Sequence, residues 1–370
     1  MKQKTHYFLD LRVLAIFGVI AALPLAVGFF LISGSARVSL GESIGRDFAN
    51  LAQHAASSVD EAVYREVLHL SVIATSPDLI NTARGSNRRY SQMTNPKEDL
   101  EAQESGWSEL TPEYPSVRAL LDEPASRHLQ TVVAASEIYH EMFLVDYKGA
   151  VVAASKKPLR SYYGNRPWFR RSIVGTTGKG EVTISDVRRF REIDTDVIAV
   201  SWPVRPEPAG EPLGVLLAVV DLESLFQSVA GLRFGDSGHA LLVQENGEVL
   251  AGTASERVLT ERYHAMEDYK RAVKERRPYF VSGAGSGSAK LIGYGRSQLA
   301  FSYPELDWVV MVVQPLAEAH APIAMVTRNI IFYFLAMGLA VVVLALYVSF
   351  KLERPVTDIE VDLQHGVSQA

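Results

Sequence analysis

The sequence predicts an α+β protein in which a long N-terminal helix precedes two tandem antiparallel-sheet modules, with a transmembrane helix on either side. Apolar stretches without an ionised side chain lie at Val13–Ile32 and Asn329–Phe350. Apolar residues recur at helical spacing after the first stretch, and one hairpin pattern occurs twice in the region between the stretches. Together these observations indicate a large folded domain that is held at a membrane.

Both apolar stretches have the length of a membrane-spanning helix, because about 20 residues cover roughly 30 Å of hydrocarbon. Basic residues precede the first stretch (Lys2, Lys4) and follow the second (Lys351, Arg354), which predicts that both tails are cytoplasmic. A cleaved signal peptide is the alternative for the first stretch, but its apolar core exceeds the usual length of about 7–15 residues. The predicted segments are a tail (1–12), a first span (13–33), an outer domain (34–322), a second span (329–350) and a tail (351–370).

The composition argues against several classes of function. A net charge of −5 over 370 residues provides no basic surface for nucleic acid. The absence of cysteine excludes disulfides and thiolate chemistry. None of the 9 histidines lies in a His-Glu-x-x-His helix, and no Gly-x-Ser-x-Gly elbow occurs. We therefore predict no enzyme activity in these residues, no cofactor and no metal site.

The segment from Gly41 to about Ile73 is predicted as one long helix, since apolar residues recur at steps of three and four and no proline appears before Pro77. Such a helix would extend roughly 50 Å. We interpret it as a stalk that offers a dimerisation face, which predicts a homodimer; a core helix of a compact domain is the alternative. Residues 84–116 are polar and aperiodic and are predicted as a loop or insertion, and a second helix is predicted over Val117–Ile138.

An internal repeat defines the two modules. Phe143–Ala154 aligns with Leu241–Gly252, and each segment has an apolar run, a polar turn with glycine and a second apolar run. Further apolar strands follow each copy, so the modules are predicted at about 139–222 and 231–316. At the end of the first module, the apolar run Gly214–Val220 is predicted as a buried strand that ends at Asp221.

Aromatic residues flank an arginine in the segment Tyr162–Phe169. The guanidinium of Arg166 can bind a carboxylate through two hydrogen bonds, and aromatic neighbours can exclude water and contact an ammonium group. The alternative is that the aromatic residues belong to the core and that Arg166 pairs structurally with Asp186. The candidate ligand-binding residues are Tyr162, Tyr163, Arg166, Trp168, Asp186 and Asp221.

Over approximately Gly41–Pro322 the sequence resembles the double Cache (dCache) family, the extracellular PAS-like sensor domains of bacterial chemoreceptors, sensor kinases and cyclic-di-GMP enzymes. The resemblance rests on the long first helix, on the duplication and on several short motifs. These motifs are Phe143–Asp146, Asn165–Phe169, Ser185–Val187, Trp202–Val204 and Asp221-Leu222. It implies a receptor in the bacterial inner membrane with a periplasmic ligand-binding domain.

The resemblance also implies roles for three residues in the membrane-distal module. Arg166 and Trp168 would hold a ligand carboxylate, and Asp221 would hold its amino group. The match is incomplete, because Ser161 stands where the amino-acid-binding branch has a tyrosine, although Tyr162 is adjacent. That branch also has a Tyr-x-Asp after the next strand. The arginines near that place favour a more anionic ligand, such as a dicarboxylate; they are Arg188, Arg189 and Arg191.

The predicted function is therefore a transmembrane receptor that binds a small solute, either an amino acid, an amine or an organic acid. The segment after Arg354-Pro355 resembles the start of a HAMP linker or of an EAL-type output region, which favours a cyclic-di-GMP, kinase or chemotaxis output that lies beyond these residues. One alternative is a membrane-anchored adaptor whose outer domain binds another protein. A hydrolase is disfavoured, because no nucleophile constellation is present.

Overall fold

The computed structural model describes residues 11–175, 180–185, 187–190, 195–207, 210–252, 263–283 and 289–352. The chain divides into two compact units, Gly45–Pro315 on the one hand and Met1–Ile44 with Leu316–Ala370 on the other. The helices are α1 (Leu11–Ile73), α2 (Pro77–Arg89), α3 (Pro96–Trp107), α4 (Pro115–Leu121), α5 (Pro124–Ala134), α6 (Pro167–Val174), α7 (Leu222–Leu225), α8 (Gln227–Ala230), α9 (Met266–Lys274), α10 (Leu316–Ala319) and α11 (Ala321–Leu352). The strands are β1 (Tyr139–Asp146), β2 (Val151–Ala154), β3 (Thr183–Ile184), β4 (Arg188–Phe190), β5 (Thr195–Val204), β6 (Gly214–Asp221), β7 (Arg233–Phe234), β8 (Gly238–Gln244), β9 (Val249–Ala251), β10 (Tyr279–Ser282), β11 (Lys290–Arg296) and β12 (Trp308–Pro315).

Helix α1 contains 63 residues and joins the first apolar stretch to the predicted stalk without a break. Within the larger unit it buries one face, which includes Ala52, Ala56, Val63 and Leu70. The steps of four and seven residues between these side chains match the spacing of one helix face. The segment predicted as a stalk is therefore helical, but within the larger unit it packs along the core, as the alternative interpretation of a core helix expects.

The polar region after α1 is helical, and the predictions for it are wrong. Residues 84–116 contain the second half of α2 and all of α3, and the single helix predicted over Val117–Ile138 is divided into α4 and α5. Each of these four helices has a proline in its first turn. Proline is favoured there because its missing N–H would have no partner in the helix, whereas Pro124 disfavours continuation of the preceding helix.

Two antiparallel sheets follow in tandem. The first has the strand order β2-β1-β6-β5-β3, with β4 paired to β5; the second has the order β10-β11-β12-β8-β7, with β9 paired to β8. In each sheet the first strand of a hairpin (β1 or β8) pairs with the last strand of the same sheet (β6 or β12). The α+β fold predicted from the repeat is confirmed.

Buried apolar side chains pack on both faces of each sheet. One cluster contains the inward face of α1 together with Leu144 of the first sheet and Val310 of the second. A separate cluster on the opposite face of the first sheet includes Phe143 and Phe169, and a comparable cluster covers the second sheet. Two of the candidate ligand-binding residues, Tyr163 and Trp168, pack against the cluster on the face of the first sheet that points away from α1.

The smaller unit contains the one membrane-span candidate found among the described residues. Ala321–Leu344 is a 24-residue segment of α11 with a mean hydropathy of 1.9, and 6% of it is buried. The predicted second span overlaps this segment, and the predicted first span lies in the N-terminal part of α1. The rings of Phe29 and Phe334 lie 5.5 Å apart within this unit.

Candidate ligand-binding site

The site is built around the start of α6. Arg166 immediately precedes Pro167, the first residue of this helix, and has an extended backbone with φ −84° and ψ 137°. The Arg166 N–H donates to the carbonyl of Tyr163 at 2.9 Å, and the Tyr163 N–H donates to the carbonyl of Gly149 at 2.7 Å. The turn between β1 and β2 thus fixes the chain segment that presents Tyr163 and Arg166.

Four aromatic side chains, which we call the aromatic wall, cover one face of the first sheet; they are Phe143, Tyr163, Trp168 and Phe169. The rings of Phe143 and Tyr163 stack at 4.9 Å, and the ring of Trp168 lies 5.5 Å from that of Tyr163 and 5.9 Å from that of Phe169. Phe143 and Phe169 are buried, whereas Tyr163 and Trp168 are partly exposed. The outer two rings are therefore available to a ligand.

Asp221 belongs to the same face as the aromatic wall. Val215, Leu217 and Val219 of β6 pack in the cluster that contains the wall. Because side chains alternate along a strand, Asp221, two residues after Val219, points to the same side. The strand therefore carries an apolar floor that ends in a carboxylate.

The carboxylate of Asp221 is 7% exposed and is fixed by two hydrogen bonds. Its Oδ1 accepts from the backbone N–H of Ser224 at 2.6 Å, which caps the short helix α7, and its Oδ2 lies 3.0 Å from Nε2 of His140. A carboxylate oxygen can accept more than one hydrogen bond. Asp221 is thus positioned by the fold and keeps capacity for a ligand donor.

Sequence reasoning missed a second buried carboxylate on this face, Glu141. Glu141 precedes Phe143 by two residues on β1 and is 6% exposed, and its Oε2 lies 3.7 Å from Nζ of Lys156. Burial, followed by the charges of Glu141 and Glu104, raises the pKa of Tyr163, so its hydroxyl stays protonated. The glutamate directly before the apolar run Met142–Val145 was the available signal for this residue.

The side chain of Arg166 is partly exposed, and no hydrogen bond or ion pair engages it within the described part of the chain. A guanidinium with free donors can bind a carboxylate in a bidentate manner. Arg166 thus provides a cation at the start of α6, and Glu141 and Asp221 provide carboxylates at one end of β1 and β6. This arrangement suits a small molecule that carries both an anionic and a cationic group.

Two of the predicted residues are not part of this arrangement. Tyr162 is buried in a different cluster, with Leu100 and Ala150, and pairs with Ala150 through a β-bridge. Its hydroxyl lies only 2.3 Å from the position that a Cβ on Gly164 would occupy, so it packs tightly on the backbone. Asp186 lies outside the described residues, so the alternative pairing with Arg166 stays a prediction.

A buried hydroxyl cluster attaches α6 to the sheet. Ser172 Oγ lies 2.5 Å from Ser201 Oγ and 3.1 Å from Thr183 Oγ1, and the latter two atoms lie 2.6 Å apart. Phe169 and Ile173 of the same helix pack in the apolar cluster. Helix α6 and the first sheet are therefore expected to move as one body.

A separate cavity of about 500 Å³ lies between the helices that follow α1 and the strand β2. Its lining includes Tyr90, Leu100, Gln103 and Trp107, but none of the residues of the aromatic wall. Among the described residues, no group of three or more His, Asp or Glu side chains could hold a metal ion. The face of the first sheet that carries the aromatic wall, which we call the aromatic face, is thus distinct from this cavity.

Comparison with known proteins yields one family match. The Cache domain family, in the form dCache_1, matches residues 36–323. The methyl-accepting chemotaxis protein PctB of Pseudomonas aeruginosa is 24% identical over 198 residues, which cover 52% of this chain and 29% of that protein. The alignment thus spans less than a third of the length of this curated relative.

Solved structures also resemble the chain. The ligand-binding domain of PctB from Pseudomonas aeruginosa PAO1 in complex with L-Gln has a TM-score of 0.45 at 18% identity, and the match covers 74% of this chain and 92% of that domain. The ligand-binding domain of the Pseudomonas fluorescens chemoreceptor CtaA in complex with L-isoleucine has a TM-score of 0.49 at 14% identity, with coverages of 77% and 98%.

Proposed function

Because the chain belongs to the Cache domain family, we propose that it is a transmembrane signal receptor whose outer domain binds a small solute in its first module. The observation that carries this proposal is the face of the first sheet on which the partly exposed rings of Tyr163 and Trp168 and the buried carboxylate of Asp221 lie. Arg166 follows at the start of α6, and its side chain has no hydrogen bond or ion pair among the described residues. The similar ligand-binding domains of PctB and CtaA are complexes with L-Gln and L-isoleucine, which supports an amino acid, an amine or an organic acid as the ligand class.

Each group of the site has a chemical role in this proposal. Arg166 donates two hydrogen bonds to the ligand carboxylate, and the Trp168 indole covers it. Asp221 accepts from the ligand ammonium, which also lies against the electron-rich face of Tyr163. The apolar floor of β6 excludes water, and this strengthens both charge interactions.

Calorimetric titration of the full chain in detergent micelles with amino acids, amines and organic acids tests this function. We expect at least one of these solutes to bind. Arg166→Ala and Asp221→Ala should each weaken its binding by about 10-fold or more, since losing a hydrogen bond to a charged group costs about 1.5–3 kcal/mol.

Gln103→Ala is the matched control, because Gln103 lines the separate cavity and not the aromatic face. Weakened binding in the control together with unchanged binding in Arg166→Ala would move the ligand to that cavity. If no solute binds and a protein partner of defined stoichiometry is captured by the outer domain, the adaptor function replaces the receptor function.

The two-span topology, with both tails in the cytoplasm and the central domain in the periplasm, is part of the proposal. Support comes from the apolar segment of α11 and from the charges that flank both apolar stretches. Because the chain contains no cysteine, single cysteines report sidedness directly. A cysteine at Ser105 should react with a membrane-impermeant maleimide in spheroplasts, and a cysteine at Lys2 should react only after lysis.

A homodimer is also proposed. Tyr64, Leu68 and Val72 form an apolar stripe on α1 at steps of four residues, and they are 43%, 66% and 64% exposed. In membranes, a cysteine at Leu68 should form a disulfide-linked dimer upon oxidation, whereas one at the exposed Ser105 of α3 should not. Equal crosslinking at both positions would contradict a specific interface on α1.

We further propose that these residues transmit a signal without performing a reaction themselves, and that a cyclic-di-GMP, kinase or chemotaxis output receives it. A ligand shifts an equilibrium between two conformations only as far as it binds one of them more tightly. The described residues bring no nucleophile and general base together on the aromatic face. Hydrolysis of the bound solute by the purified chain would contradict this part of the proposal.

A further inference from the structure

The helix that presents Arg166 also contacts the second module. Arg171, in the second half of α6, forms an ion pair with Glu305, which lies in the turn before β12. Helix α6 belongs to the first module, and Glu305 belongs to the second. One short helix thus carries candidate ligand contacts at its start and a charged contact to the other module near its end.

Helix α6 is suited to transmit a displacement. From Arg166 to Arg171 the helix rises only about 7.5 Å, so the two ends cannot move independently. The buried hydroxyls of Ser172, Thr183 and Ser201 fix α6 to the first sheet. A movement at the ligand face therefore reaches Arg171 without loss in a flexible linker.

Glu305 lies at an equally rigid position. It is followed by Leu306 and Trp308, which are both fully buried, and the Leu306 N–H closes the turn by donating to the carbonyl of Tyr303 at 2.9 Å. Trp308 begins β12, a central strand of the second sheet, which leads in sequence directly into α10 and α11. In sequence, only β12 and the short helix α10 separate the turn from the span candidate.

We propose that the ion pair between Arg171 and Glu305 is a coupling contact that sets the position of α6, and with it of Arg166 and Trp168, relative to the second module. Arg171 and Glu305 act as positioning residues in this proposal. The role of α6 as the helix that contacts the ligand rests on the proposed function. The side chains are 51% and 36% exposed. An exposed pair stabilises its arrangement only weakly, so ligand binding can break or remake it.

Spin-label distances in the ligand-free full chain in lipid nanodiscs test this coupling contact. Because the chain has no cysteine, labels at Arg170→Cys on α6 and Lys274→Cys on α9 report the distance between the modules without background. We expect a dominant distance in the parent chain. Arg171→Glu and Glu305→Arg should each lower its population relative to other distances by roughly 1.5- to 5-fold, the range expected for an exposed ion pair.

The charge swap Arg171→Glu with Glu305→Arg should restore the parent distribution, a result that a nonspecific charge effect would not give. Glu61→Arg is the matched control: it reverses one partner of the exposed pair Arg65–Glu61 within α1, and it should leave the distances unchanged. An unchanged distribution in both single variants, or no restoration in the swap, overturns the proposal. No ligand is used, so failure of the coupling contact and failure of solute binding are recorded separately.

Discussion

Replacing Asp146 should destabilise the first module more than any other single loss of a polar side chain on its hairpin. Asp146 is fully buried, and its Oδ1 accepts from the backbone N–H groups of Lys148, Gly149 and Ala150 at 3.0–3.1 Å. Its Oδ2 accepts from the hydroxyls of Ser86 at 2.7 Å and Tyr90 at 2.5 Å. One carboxylate thus holds the turn between β1 and β2 and attaches α2 to it.

The magnitude follows from the groups that would lose their acceptor. Asp146→Ala removes the acceptor of the buried Ser86 hydroxyl and of the partly buried Tyr90 hydroxyl, at no more than about 1–3 kcal/mol each, and three N–H groups lose it as well. Because the five bonds share one network, their costs do not add, and we expect a loss of about 3–6 kcal/mol. Asp146→Asn keeps an oxygen for the turn and should cost only about 1–2 kcal/mol.

Thermal unfolding of the full chain in detergent, followed by circular dichroism, measures the difference. With about 2–4 °C per kcal/mol for a domain of this size, Asp146→Ala should lower the Tm by at least about 6 °C and Asp146→Asn by about half of that or less. Equal losses in the two variants would refute the hydrogen-bond reasoning. The turn also accepts the Tyr163 N–H, so Asp146→Ala should weaken solute binding too.

Three further predictions concern stability and pH. Gly164→Ala should destabilise the protein by about 1–3 kcal/mol, because the new Cβ would lie 2.7 Å from the Lys148 carbonyl oxygen. Gly85→Ala, in the open interior of α2, should stabilise the protein by about 0.5–1 kcal/mol. Thermal unfolding of the two variants checks both predictions. Tyr139→Phe should cost about 1–3 kcal/mol, because the buried Glu66 loses a donor at 2.5 Å; if it melts like the parent chain, that hydrogen bond contributes nothing. The hydrogen bond from Arg171 lowers the pKa of Glu305. The coupling contact should therefore persist above the ordinary glutamate pKa of about 4.3, and it should be lost as the pH falls through the lower pKa of the folded state. Loss of the dominant spin-label distance already at pH 5 would contradict a lowered pKa.

Much of the architecture could be predicted, because it depends on patterns of short period. The hairpin repeat and the buried strand Gly214–Val220 follow from short apolar runs, and the long α1 follows from the helical spacing of apolar residues. The helices α2 and α3 did not follow, since they are short and polar and pack through few apolar side chains such as Leu79, Leu100 and Trp107. Their signal was the proline in the first turn of each helix.

The candidate site could be predicted in part. Arg166 and Trp168 lie in one short motif, but the position of Asp221 beside them depends on pairing between strands distant in sequence. The orientation of Tyr162 away from the aromatic face, and of Tyr163 towards it, could not be read from two adjacent tyrosines. The β-bridge between Tyr162 and Ala150 decides which of the two tyrosines points towards the aromatic face.

The duplication gives both modules the same backbone framework. In the first module the Tyr163 N–H donates to the carbonyl of Gly149 at 2.7 Å, and in the second the Tyr263 N–H donates to the carbonyl of Gly247 at the same distance. The helices α6 and α9 begin shortly after these tyrosines. A difference in ligand binding between the modules must therefore come from side chains on a shared scaffold.

The side chains differ at the positions on which the proposed function depends. Three residues after the tyrosine, the first module has Arg166 and the second has Met266, and each donates its N–H back to the tyrosine carbonyl. The strand registers likewise match Asp221 with Pro315. Val215 pairs with Val145 and Val309 pairs with Val243, and these two partners are equivalent in the repeat. Asp221 and Pro315 each follow six residues after Val215 and Val309. Methionine and proline provide neither the guanidinium nor the carboxylate that the first module uses, and Met266 is itself buried in the core of its module. The duplication thus leaves these two positions of the second module without the charged side chains of the first, so the proposed solute site is expected in the first module alone.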